Sequence, residues 1–150
     1  MAELPGAVLF ACNLNRVRSP MAAGLMRRFF GARVFVDSCG LRHDAESLPD
    51  PFAVAAMDEL GIDLTGHRSK TFDDLEDLSF DAVISLTPEA QHRAVELARQ
   101  RAVEIEYWPT LDPTLTEGSR DAVLEAYRGV RDGLQARIFA RFPQMRTFGG

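Results

Sequence analysis

Residues 7–11, Ala-Val-Leu-Phe-Ala, form an apolar run of strand length that leads directly into Cys12, and a helix signature opens by Ser19-Pro20. So short a connection forces a sharp turn, and a turn of this kind aims successive backbone N–H groups into one concavity suited to an anion. Arg18 adds a planar fork of donors matched to phosphate oxygens, with Cys12 below it as the soft nucleophile. Amide dipoles that hold an oxyanion also favour a thiolate over a thiol. Ser19 is expected to cap the helix, with Pro20 at its first position and the hydroxyl still near the sulfur. Asn15, a residue that tolerates left-handed backbone angles, is expected to brace the loop.

The same alternation continues along the chain. Strands are expected at 7–11, 33–38, 81–86 and 103–108, and helices at 20–30, 51–60, 88–101 and about 119–142. Strands alternating with helices imply parallel pairing. The expected fold is therefore α/β: one domain over residues 1–150, a three-layer sandwich with a four-stranded parallel sheet and helices on both faces. Ligands of such sheets bind beyond the carboxyl ends of the strands, and Cys12, Cys39, Thr87 and Asp112 all follow strand ends. Residues Thr147 to Gly150 are expected to fray.

Composition narrows the partners. A formal charge of −5 without a basic block disfavours nucleic acid. No leader-like or membrane-spanning apolar stretch is found, so the expected location is the cytoplasm and no membrane partner is expected. Two cysteines are too few for a disulfide scaffold, and they lack metal-ligand spacing with His43, His67 and His92. No metal or other cofactor is expected.

Transfer of a phosphoryl group to Cys12 also needs a proton for the departing oxygen. Asp112, stiffened by Pro113, is the candidate acid. Asp50-Pro51 competes, but it opens an apolar helical pattern and reads as cap plus first turn. His67 reads as a network residue, and Tyr107 and Trp108 as packing.

These residues resemble the low-molecular-weight protein tyrosine phosphatase family. Its Val-Cys-x-Gly-Asn-x-Cys-Arg-Ser-Pro loop is matched at Cys12, Asn15, Arg18, Ser19 and Pro20. Further matches are Asp37-Ser38-x-Gly40, Pro49-Asp50-Pro51, Gly66-His67-Arg68 and Asp112-Pro113. The resemblance implies a phosphatase acting on a phosphorylated protein or a small aryl phosphate. Cys12 would form a cysteinyl phosphate, Arg18 and the amides of the loop Asn13, Leu14, Asn15, Arg16, Val17 and Arg18 would hold the oxygens, and Asp112 would act as general acid, then base. It also implies that Asn15, Ser19, Ser38 and His67 brace the loop.

Three departures from the family pattern carry consequences. Leu14 stands where the family has glycine; a positive φ there would strain it by about 1–2 kcal/mol unless Asn13 absorbs the turn. Val17 replaces the second loop cysteine, so the family's protective disulfide cannot form, and Cys39 becomes the candidate redox partner of Cys12. Leu41 to Asp44 and Thr114-Leu115 replace the aromatics that commonly line the family's pocket mouth, which weakens the case for phosphotyrosine. Two rival readings remain. Arsenate reduction uses the same loop but needs resolving cysteines, and residues 85–89 contain none. A phosphate-binding module without turnover would need neither nucleophile nor acid.

Overall fold

A computed structural model describes residues 4–143. The strands are β1 (Ala7–Ala11), β2 (Phe35–Cys39), β3 (Ala82–Ser85) and β4 (Glu104–Tyr107). The helices are α1 (Arg18–Phe30), α2 (Pro51–Asp58), α3 (Pro88–Ala98) and α4 (Arg120–Arg141), and short 3-10 turns cover Phe72–Asp74 and Pro113–Leu115. All strand pairs are parallel, in the order β2-β1-β3-β4. The expected α/β sandwich is the one observed. The expected fraying of Thr147 to Gly150 lies outside the described residues.

Strand alternation divides β1 between two cores. Val8 and Phe10 pack with Met21, Leu25, Met57, Leu134 and Ile138 under α1, α2 and α4. Leu9 and Ala11 pack with Phe72, Val83, Ala90, Ala94 and Leu97 beneath α3. Both faces of β1 are thus covered, as a central parallel strand requires. Trp108 is buried in the first core between Phe10 and Phe142, in the packing role expected of it.

Helix starts follow their caps. The Asp50 carboxylate accepts from the Phe52 and Ala53 amides, the Thr87 hydroxyl from Ala90 and the Ser119 hydroxyl from Ala122. Proline at the first position of α2 and α3 costs no bond, since that N–H has no partner within its own helix. Glu59, just past α2, binds Arg128 and Arg131 of α4, and these guanidinium bonds hold its carboxyl down near 2. This clamp ties the end of α2 to α4.

The chain leaves β1 toward β2 on one side and returns to β3 on the other. Such a reversal opens a crevice beyond the carboxyl ends of β1 and β3. Cys12 emerges from β1 into that crevice, and Thr87 follows β3 at its other wall.

Candidate active site

The loop from Cys12 to Arg18 turns four of its carbonyls outward. The Asn13 carbonyl accepts from the Leu41 and Arg42 amides, that of Arg16 from Asp50 and that of Val17 from Met21. The Asn15 carbonyl meets His67 Nε2 at 2.8 Å. In a trans peptide the C=O and the following N–H point in opposite directions. Pinning these carbonyls therefore aims the Leu14, Arg16, Val17 and Arg18 amides into the loop, above Cys12. Among the described residues no protein oxygen takes up those four amides. The Asn15 amide points at Cys12 Sγ, 3.3 Å away.

Asn15 is fully buried and has φ of 59°, the left-handed turn of the loop. It answers the question raised by Leu14: the positive angle falls on Asn15, and neither Leu14 nor Asn13 carries it. Asparagine is among the non-glycine residues that best tolerate this angle. Its Nδ2 donates to Ser19 and Ser38, at 2.8 and 2.9 Å, and its Oδ1 accepts from the Lys70 amide.

Ser19 corrects an expectation. The helix begins at Arg18 behind Val17, with no side-chain cap, so Pro20 lies in its third position. The Ser19 hydroxyl does lie near the sulfur as expected, 2.9 Å from Cys12 Sγ, and within reach of the Cys39 carbonyl. A buried hydroxyl surrounded by three polar partners is held by that network rather than by a helix terminus.

Gly40 and Thr87 are site residues that the sequence reading left without a role. A Cβ on Gly40 would come 2.7 Å from the Asn13 carbonyl oxygen and 2.9 Å from the Leu14 carbonyl carbon. Glycine at a strand end can signal such a close approach. Gly40→Ala is expected to cost about 1–3 kcal/mol by displacing the loop, read as a fall in the urea midpoint. Thr87 donates to Asn13 Oδ1 at 2.7 Å while its oxygen caps α3, so one hydroxyl ties the loop to a helix across the crevice. Thr87-Pro88 is a visible cap signature; its bond to Asn13 is not visible from sequence.

The acid loop reaches the phosphate loop through Arg18. Its Nη1 donates to the Thr110 carbonyl at 3.0 Å, and its Nη2 lies 3.8 Å from Asp112 Oδ2. Thr114 occupies Asp112 Oδ1 with both its amide and its hydroxyl. Oδ2 is therefore the carboxylate oxygen turned toward the loop. Asp50 has the structural role expected of it: Oδ1 caps α2 and Oδ2 accepts from Tyr127 of α4. Burial and the Asp50 carboxylate push the Tyr127 phenol well above its usual range, so it remains a donor.

Cys39 is fully buried on the opposite face of the sheet. It pairs with Ala11 in the core beneath α3, whereas Ser38, one residue earlier, faces Asn15. Burial, with lesser contributions from Cys12 and Asp37, pushes its thiol far above the ordinary range. The two strands are neighbours, as a redox pair required, but the alternation turns this thiol away from the loop.

His67 is part-buried, and desolvation lowers its pKa below the ordinary 6.5 despite the opposing bond to Asn15. A lowered histidine pKa means that the unfolded chain binds more protons as pH falls. The contribution of His67 to stability is therefore full above 6.5 and is lost as pH falls below that value toward the folded pKa. Thermal midpoints of wild type should fall more steeply below pH 6.5 than those of His67→Gln. Identical slopes would remove this assignment.

A cysteine at the base of a loop of inward-facing amides, on the switch point of a parallel α/β sheet, is an arrangement suited to an enzyme that sets a thiolate against an oxyanion. The chain belongs to the low molecular weight phosphotyrosine protein phosphatase family, which it matches over residues 7–142. It is 33% identical over 131 residues to the glutaredoxin arsenate reductase of Synechocystis sp., covering 87% of this chain and 92% of that one. The low molecular weight protein tyrosine phosphatase of T. tengcongensis superposes with a TM-score of 0.73 at 25% identity, covering 89% and 95%. The arginine phosphatase YwlE of Geobacillus stearothermophilus superposes at 0.74 with 26% identity, covering 89% and 88%.

Proposed function

We propose that the chain hydrolyses phosphate monoesters, with phosphotyrosine in proteins as the substrate class, through a cysteinyl-phosphate intermediate. The observation that carries this reading is the convergence of Cys12 Sγ, the inward amides and Arg18 on one loop, with Asp112 Oδ2 3.8 Å from the guanidinium. The four amides and Arg18 bind the non-bridging oxygens and leave phosphorus above the sulfur. Cys12 attacks phosphorus, the bond to the leaving oxygen breaks, and Asp112 gives that oxygen its proton. Asp112 then takes a proton from water as the water attacks phosphorus. The S–P bond breaks and inorganic phosphate leaves. Ser19, 2.9 Å from the sulfur, offers a hydroxyl to the thiolate that departs in this second step.

Asn15, Ser38 and His67 hold the loop in its binding shape, so binding needs little rearrangement. We place the reaction in the cytoplasm, where thiols stay reduced. Among the described residues no helix is long and apolar enough to cross a membrane.

The test is hydrolysis of phenyl phosphate and of a phosphotyrosyl peptide without added metal, beside phosphoarginine. Turnover of the first two and little of the third is expected. Phosphate binding without turnover of any would replace the enzyme with a binding module.

Arsenate reduction is the second reading, favoured by the name of the Synechocystis relative. Cys39 faces away from the loop, so this chain would need an external thiol to share the two-electron oxidation with Cys12. Reduction of arsenate that depends on glutathione and glutaredoxin would favour it.

A further inference from the structure

A cavity of about 790 Å³ lies behind the acid loop, between residues 109–116 and α4. Its wall carries Leu111 and Leu115, exposed by 86% and 78%, the two most exposed large apolar side chains among the described residues. Its floor includes Gly129 and Gly133, where a Cβ would meet nothing within 4 Å. The packing of the chain itself therefore does not demand glycine there, although glycine is unfavourable inside a helix. Asp112 lines this cavity and also faces Arg18, so the acid loop is the wall shared by the groove and the phosphate loop.

Arg137 marks the far end. It lies over the Trp108 ring, 5.6 Å from the centroid, and among the described residues no carboxylate pairs with it. From Ala126 to Arg137 the helix rises about 16 Å, the span of about five extended residues. Apolar along its length and cationic at its end, the groove has the chemistry of a peptide subsite.

We propose that this groove binds the phosphorylated polypeptide beside its phosphotyrosine, taking an apolar side chain against Leu111 and Leu115 and an acidic one at Arg137. The inference rests on the phosphatase reading and names its substrate class more closely: the apolar residue falls about two, and the acidic residue about five, positions from the phosphotyrosine.

The experiment measures binding to the full chain carrying Cys12→Ser, so that no turnover is needed. The probes are phosphotyrosyl hexapeptides with leucine at the third and glutamate at the sixth position, the same order reversed, and alanine counterparts of both. One of the leucine and glutamate peptides is expected to bind about tenfold or more tightly than its counterpart. Adding Gly133→Leu, which fills the groove from an exposed position, should erase that advantage, and Arg137→Ala should erase only the share due to glutamate. Equal binding of all peptides overturns the proposal, as does an advantage that survives Gly133→Leu. A wild-type dimer that Gly133→Leu dissociates would assign the groove to a second copy and overturn it too. Failure of the phosphatase reading is seen separately, as absent hydrolysis of phenyl phosphate by the wild type.

Discussion

Cys12→Ser is expected to reduce phenyl phosphate turnover by at least about 1,000-fold while inorganic phosphate still binds. Serine keeps the loop almost unchanged in volume and leaves the inward amides and Arg18 in place. A serine hydroxyl at neutral pH is a far weaker nucleophile than a thiolate, and no histidine stands beside residue 12 to activate it: His67 is turned to the Asn15 carbonyl. Phosphate titration and steady-state kinetics on the same preparation separate the two properties. Loss of binding together with turnover would show that Cys12 supports the loop's shape rather than the chemistry.

Asp112→Ala should lose about 100-fold or more in turnover of phenyl phosphate, with a clear dependence on the leaving group. A phenolate needs its proton as the P–O bond breaks, whereas a nitrophenolate is stable without one. The deficit should therefore shrink to about tenfold or less with p-nitrophenyl phosphate while the first step limits the rate. Asp50→Ala is the matched control. Its carboxylate serves the α2 cap and Tyr127, so the variant should lose stability without acquiring leaving-group dependence. An Asp112→Ala deficit equal for both esters would reassign Asp112 to holding Arg18.

The parts of this site legible in the sequence are those whose logic is local. Cys12 and Arg18 lie within one turn between a strand and a helix, and Asp112 follows a strand end beside a proline. Asp50 was legible as a cap for the same reason. Ser19 lies beside the sulfur as its position implies, but it caps nothing: a serine before Pro20 has an ordinary local use, and the buried amide of Asn15 and the sulfur hold its hydroxyl in place of the helix start. Gly40 and Thr87 stayed hidden because their partners lie far away in sequence, at Asn13 and Leu14. Leu14 looked costly because a motif names positions, while the strain depends on which residue carries the positive angle.

The outward carbonyls of the loop set a limit on its portability. Four of them are held by amides or a ring nitrogen from other segments or from the following helix: Leu41 and Arg42, His67, Asp50 and Met21. An excised peptide covering residues 7–30 would keep the cysteine, the arginine and every motif residue between them. It would lose three of the four restraints that turn the amides inward, and should bind phosphate no better than an unstructured cationic peptide. Grafting this chemistry onto another scaffold therefore means transplanting the donors around the loop along with the loop itself.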